Sequence, residues 1–290
     1  MCGHFRASGV AGLRSRPKYN PMSQQEKSRE ATGAGGFSPS AEAVFDLLGD
    51  LDRFALFLDI DGTLIDLAAT PDGIVVPPEL PSDLAAASQK LGGALALVTG
   101  RALAYADKLF EPQRFPIAGL HGAERRMADG TVDRVMVTPE FEALKAEIAA
   151  EASSWNGVLI EDKGAAVGAH YRQAPERQAD LESLMQAAAA KAGSEFALQR
   201  GKMVIELRPA RASKGEAIKR FLDELPFTGR LPVTIGDDLT DEAMFKAANQ
   251  LGGHSIRIGD ATLPDGSATA ATMLLSSAQE LRDILSGLAR

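Results

Sequence analysis

The stretch that decides the reading is Phe54-Ala55-Leu56-Phe57-Leu58-Asp59-Ile60-Asp61-Gly62-Thr63-Leu64. Five apolar residues run directly into two carboxylates, a glycine and a hydroxyl. An unbroken apolar run of this length has the makeup of a strand buried on both faces, as in a parallel sheet. Asp59 and Asp61 then fall where such a strand stops and the backbone turns. In open α/β sheets that carboxyl edge is where ligands bind. An Asp-x-Asp at that edge can combine a nucleophile, an acid/base and a cation site. Taken alone the string also fits a polar turn after a core strand, so the elements around it have to decide.

Working outward, Ser40 is a candidate N-cap for a helix over 40–49, with Ala43, Val44, Leu47 and Leu48 as its apolar face. Residues 66–78 read as a loop punctuated by proline and glycine, and Ser82 as the cap of a helix running to Leu91. Ala94 to Val98 reads as a second buried strand that ends in Thr99-Gly100-Arg101 just ahead of another helical stretch. Strand, helix, strand, helix is the pattern of a parallel sheet with right-handed crossovers. It places Thr99 beside Asp59, and a hydroxyl with free N–H groups at a helix start suits phosphate. Ile117-Ala118 begins a third strand leading into Gly119-Leu120-His121-Gly122-Ala123-Glu124, and Asp129-Gly130 marks a hairpin turn.

From about 138 to 210 the pattern changes to helix (139–153), two strands (158–162, 165–171), helix (175–192) and two strands (195–199, 203–208). This reads as a small α+β unit inserted into the first domain. The parent pattern then resumes. Ser213-Lys214-Gly215 opens a helix, and Leu231 to Ile235 forms a strand ending in Gly236-Asp237-Asp238-Leu239-Thr240-Asp241-Glu242. Ser255–Ile258 reads as the last strand, followed by a terminal helix from about 277. The expected division is residues 39–137 and 211–290 as the core, 138–210 as the insert, and 1–38 as a tail.

Composition sets outer bounds. The 290 residues allow one large or two ordinary domains, and 45% apolar content is ample for packed cores. A net charge of −8 argues against nonspecific nucleic-acid binding, which depends on cationic surfaces. Cys2 is the only cysteine, so no internal disulfide is possible. No stretch approaches the roughly 20 apolar residues that span a bilayer. These features give a cytoplasmic expectation with no membrane partner, and a monomeric state is compatible with them. Before the first acid, Glu26, the tail carries Arg6, Arg14, Arg16 and Lys18, with no clear amphipathic helix. It reads as disordered rather than as a transit peptide, and Met22 is an alternative start.

The first signature, Asp59-Ile-Asp-Gly-Thr-Leu64, resembles that of the haloacid-dehalogenase-like phosphatases. More narrowly, residues 40–288 resemble the trehalose-6-phosphate phosphatases. The strings that carry this are Thr99-Gly-Arg101, Gly119-Leu-His-Gly-Ala-Glu124, Glu161-Asp-Lys163, His170-Tyr-Arg172, Glu206-Leu-Arg-Pro209, Lys214-Gly215 and Gly236-Asp-Asp-Leu-Thr-Asp-Glu242. The one small departure is Ile60, where that branch often carries an aromatic. The resemblance implies a Rossmann-like parallel-sheet core with an inserted α+β cap, and Mg²⁺-dependent hydrolysis of a sugar phosphate through an aspartyl-phosphate.

The resemblance also implies roles. Asp59 is the nucleophile, Asp61 the general acid/base and Lys214 the third catalytic residue. Asp59, Asp61 (through its carbonyl) and Asp237 hold the metal; Thr99, Gly100 and Lys214 hold phosphate. Arg101, His121, Gly122, Glu124, Glu161, Lys163, His170, Arg172, Glu206 and Arg208 contact substrate, while Thr63, Asp238 and Asp241 stand behind the metal ligands. The residue chemistry agrees, since a phosphoryl group needs cations and N–H donors and a sugar needs paired donors and acceptors. His121 and His170 are equally readable as core histidines, Glu161 with Lys163 as a strand-face ion pair, and Arg208 as a cap anchor. Rival functions are a phosphatase for sucrose phosphate or glucosylglycerol phosphate, a phosphomutase, and a non-catalytic sugar-phosphate sensor.

Overall fold

The computed structural model describes residues 38–68, 73–201 and 203–290. The expectations for residues 1–37, including the start at Met22, lie outside the described residues, as does part of the 66–78 loop. Strand β1 (Phe54–Leu58) is buried at all five positions. Alternation along it serves two cores. Phe54, Leu56 and Leu58 enter one apolar cluster, while Ala55 and Phe57 enter another on the opposite face of the sheet. That is why the run has no polar partner at every second residue.

Around β1 an eight-stranded sheet forms in the order β12-β11-β10-β1-β2-β3-β4-β5. Its members are β2 (Leu95–Val98), β3 (Ile117–Gly119), β4 (Glu124–Arg126), β5 (Val132–Arg134), β10 (Leu231–Gly236), β11 (His254–Ile258) and β12 (Met273–Leu275). The strands from β12 to β3 are parallel, and β3-β4-β5 is an antiparallel edge. Strand β12 corrects the sequence expectation that β11 is last. Helices α1 (Pro39–Leu48), α2 (Leu80–Lys90), α3 (Leu103–Leu109) and α8 (Ala278–Ala289) contribute to the first cluster, while α6 (Lys214–Leu222) and α7 (Glu242–Gln250) contribute to the second.

Two helix starts differ from the sequence reading. Ser38, not Ser40, caps α1 by accepting from the Ala41 N–H at 3.2 Å, and Ala41 rather than Ala43 faces the core. Helix α2 begins at Leu80, and the Ser82 hydroxyl donates back to the Glu79 carbonyl instead of capping. In both cases a proline in the first turn sets the start. Its fixed φ suits that position and its missing N–H costs nothing there.

Between β5 and α6 the chain forms a four-stranded antiparallel sheet, order β6-β7-β9-β8, from β6 (Leu159–Asp162), β7 (Val167–His170), β8 (Phe196–Gly201) and β9 (Val204–Pro209). One face packs on α4 (Pro139–Ala152) and α5 (Gln178–Ala192) through Val167, Ala169, Ile205 and Leu207. The other face is polar and carries Glu161, His170 and Glu206, joined by Lys163 just past the end of β6. This is the cap of the fold.

Candidate active site

Parallel strands bring their carboxyl ends to one edge of a sheet, and the motifs sit there in spatial order. Asp237 follows β10, Asp59 follows the adjacent β1, and Thr99 follows β2. Lys214 enters from the first residue of α6, whose start is capped by the Ser213 hydroxyl. Its ammonium lies 2.6 Å from Asp59 Oδ1 and 2.6 Å from Asp241 Oδ1. Lys214 is 3% exposed, Asp59 4% and Asp241 0%, so this is an ionic cluster out of water. Thr63 adds longer hydroxyl contacts to Asp59 (3.4 Å) and Asp237 (3.3 Å). Gly62 is required here, because its φ is 78° and a Cβ would lie 2.1 Å from the Asp237 carboxylate.

Carboxylate oxygens of Asp59, Asp237 and Asp241 all lie within 4.8 Å of one another. Three acids crowd around one ammonium, and the excess shows at Asp59 and Asp237. Burial dominates at Asp59 and, with the Asp241 and Asp237 carboxylates, outweighs the pull of Lys214, pushing its carboxyl well above the usual range. Asp237 is pushed up to about 7 by burial and the charges of Asp241 and Asp238. Burial opposes the charge on Lys214, yet Asp241 and Asp59 hold it protonated above the ordinary lysine value. A hard divalent cation with a preference for oxygen donors fits this donor set.

Asp241, expected behind the metal ligands, also bonds Lys214 directly. Its second oxygen accepts from the Asp237 N–H (3.0 Å) and the Asp238 N–H (2.9 Å). With both oxygens engaged, Asp241 shapes the loop, while one Asp237 oxygen is held only by the long Thr63 contact and the other is open. Asp238 is exposed and caps the short turn Leu239–Asp241.

Arg101 grips both Asp61 oxygens at 2.6 Å and lies over the Tyr105 ring. Thr99 is wholly buried, and its hydroxyl accepts from the Arg101 N–H. The His121 ring covers Gly100, whose Cβ would sit 2.8 Å from the imidazole Cε1. Burial, followed by the positive charges of Lys214, Arg208 and Lys163, holds His121 neutral, well below 6.5. Glu124 is occupied by the protein itself, accepting from the Leu103 N–H (2.9 Å) and from Arg134 (3.2 Å).

On the cap face, register sets Glu161, Gly168, Glu206 and Gln199 in one row across the sheet. Lys163 binds Glu206 at 2.8 Å, and His170 binds Glu161 at 2.8 Å. Glu206 is 6% exposed, and its Oε1 has no hydrogen-bond partner among the described residues. A buried acceptor left open is costly, which points to a donor from outside the protein. Arg208 bonds Gln199 across β8 and β9. Arg172 is exposed beyond β7 and does not line the cleft.

Core and cap meet around a cleft of about 240 Å³ lined by His121, Lys214, Leu239, Gln199, Arg200 and Arg208, among others. Gln199, Arg200 and Leu239 escaped the sequence reading; the register opposite Glu206 is the only signal for Gln199. A larger groove of about 540 Å³ between α4 and α5 contains none of the motif residues, whereas the smaller cleft reaches Lys214, His121 and Arg208. No helix among the described residues is long and apolar enough to cross a membrane.

Comparison with known proteins agrees with this geometry. The profile of the trehalose-phosphatase family matches residues 57–278. The chain is similar to a probable trehalose-phosphate phosphatase of Sinorhizobium fredii, with 61% identity over 240 residues, covering 83% of this chain and 89% of that one. It is 42% identical over 209 residues to the trehalose-6-phosphate phosphatase of Escherichia coli, covering 71% and 78%. In fold it is similar to the C-terminal domain of Candida albicans trehalose-6-phosphate phosphatase, with a TM-score of 0.71 at 21% identity over 87% of this chain and 97% of that one.

Proposed function

The chain belongs to the trehalose-phosphatase family, and from that premise we propose that it hydrolyses trehalose 6-phosphate to trehalose and inorganic phosphate, the last step of trehalose synthesis. The observation that carries the reading is the buried Asp59–Lys214–Asp241 cluster at the carboxyl edge, under a polar cap face. A catalytically silent sensor would have no use for a buried nucleophile held by an ammonium.

In the first step a carboxylate oxygen of Asp59 forms a bond to phosphorus while the bond from phosphorus to the sugar oxygen breaks. Asp61 turns from Arg101 to that departing oxygen and, in the protonated form that the second step regenerates, gives it a proton. Arg101, released, joins Lys214 and the Thr99 hydroxyl in holding the phosphoryl oxygens. In the second step Asp61 takes a proton from water, the water oxygen bonds to phosphorus, and the Asp59–phosphorus bond breaks. Bound Mg²⁺ would supply positive charge against the phosphoryl oxygens, held by Asp59, Asp237 and the Asp61 carbonyl. The cap closes over the sugar and excludes bulk water. Glu206 Oε1 accepts a sugar hydroxyl, and Glu161, Lys163, His170, His121 and Arg208 complete the surround.

The test is phosphate release from trehalose 6-phosphate, sucrose 6-phosphate, glucosylglycerol phosphate and glucose 6-phosphate, each with Mg²⁺ and with EDTA. Trehalose 6-phosphate should be preferred and EDTA should stop the reaction. Preference for another sugar phosphate would leave a capped phosphatase of different specificity.

A further inference from the structure

We propose that the turn Gly119–Glu124 is a brace for the phosphate loop Thr99–Arg101, and that Glu124 is a positioning residue of that brace instead of a sugar contact. The inference rests on reading 99–101 as the phosphate loop. Four contacts tie the turn to it. The Leu120 N–H donates to the Arg101 carbonyl at 3.0 Å, and the His121 N–H donates to the Thr99 carbonyl at 3.0 Å. The His121 ring fills the space that a side chain on Gly100 would need. Glu124 Oε2 accepts from the Leu103 N–H at 2.9 Å, fixing the chain where it leaves the loop.

The brace has an unusual backbone of its own. Leu120 (φ 48°) and His121 (φ 56°) are consecutive non-glycine residues in the left-handed region. Such conformations persist where the surroundings over-determine them, and they cluster at functional sites. Gly122, at φ 103°, presses against a second part of the site. A Cβ there would meet the Ser213 carbonyl and the Ala217 Cβ, each at 3.2 Å. One turn therefore sets the spacing between the phosphate loop and the helix that carries Lys214. Both Glu124 oxygens already serve the protein, through Leu103 and Arg134. That is the arrangement of a strut.

The experiment uses the full chain with Mg²⁺ and compares wild type with Glu124→Ala, Glu124→Asp and Glu124→Gln. It measures hydrolysis of p-nitrophenyl phosphate and trehalose 6-phosphate, competitive inhibition by inorganic phosphate, and the melting temperature. The alanine variant should lose roughly tenfold or more in kcat/KM on both esters alike, the scale of a lost hydrogen bond to a charged group. The inhibition constant for inorganic phosphate should rise by a similar factor. Glu124→Gln keeps an acceptor for the Leu103 N–H and should recover most of the loss. Glu124→Asp keeps the charge but is one methylene too short, and should behave like alanine. It also supplies the test if the alanine variant does not fold. A loss confined to trehalose 6-phosphate, with inhibition by phosphate unchanged, would overturn the proposal and make Glu124 a sugar contact. Unchanged inhibition with glutamine no better than alanine would reduce Glu124 to a contributor to stability. Wild type inactive on both esters would remove the phosphatase reading and this proposal together, before any variant is made.

Discussion

Replacing Lys214 with alanine tests the electrostatic account of the site most directly. The ammonium lies 2.6 Å from each of two buried carboxylates, with a third close by. Two unit charges about 4 Å apart interact by about 4 kcal/mol at an effective dielectric constant of about 20. Removing one partner of a buried pair typically costs about 3–5 kcal/mol, because the charge left behind is uncompensated. At about 2–4 °C per kcal/mol for a protein of this size, the metal-free variant should melt roughly 6–20 °C below wild type. Excess Mg²⁺ replaces part of the missing charge and should narrow the gap. Turnover should fall at least about 100-fold, the loss typical for one removed donor to a transition-state oxyanion, on trehalose 6-phosphate and p-nitrophenyl phosphate alike. Scanning calorimetry in EDTA and in Mg²⁺, with phosphate release alongside, measures all of this. A variant melting within about 2 °C of wild type in EDTA would refute the claim that Lys214 neutralises the acids.

Asp59→Asn should abolish turnover while substrate binding and folding persist; retention of a tenth of wild-type activity would exclude the covalent route. Asp61→Asn should slow both steps, and an ester with a better leaving group should rescue the first of them in a burst experiment. Asp237 gives a pH dependence. Its carboxyl is raised in the folded protein to about 7 from an ordinary 3.8, so its protonated form favours the fold. That contribution is fully present below about pH 4 and lost as pH rises through about 7. The melting temperature in EDTA should therefore fall from pH 5 to pH 8, with a flatter trend in Mg²⁺, and Asp237→Asn should weaken the trend, leaving the part due to the likewise raised Asp59. Glu206→Ala should cost about 1.5–3 kcal/mol, roughly 10- to 150-fold in kcat/KM for trehalose 6-phosphate. The effect on p-nitrophenyl phosphate should be far smaller, and equal losses on the two would contradict a sugar-reading role.

The sequence is most legible where its chemistry changes abruptly. The switch from Phe54–Leu58 to Asp59 locates both the central strand and its working end, because only burial on two faces tolerates that run. Two-residue alternation likewise separates the packed and polar faces of the cap. Other features arise only when the chain folds. Spacing places Asp241 near Asp237 without saying which carboxylate turns inward to Lys214. Arg101 and Asp61 are 40 positions apart, and nothing local predicts that they bind each other. Gln199 joins the site through the register of β8 on β9, and β12 is three residues long, too short to give a period. The shifted caps at Ser38 and Glu79 reflect proline overriding the hydroxyl signal.

The position of β10 next to β1 has a consequence for how the protein is made. Strand β1 is synthesised early, yet one of its two neighbours is encoded after the whole cap. A ribosome-bound chain therefore holds this wholly apolar strand with one edge bare while residues 59–230 follow. Such an edge is a template for the wrong partner, and non-local pairing is intrinsically slow to form. The cap sheet is closed by neighbours near in sequence and can form during that interval. Nascent chains stalled before Leu231 should accordingly aggregate or recruit chaperones, whereas chains released beyond Leu275 can close the sheet.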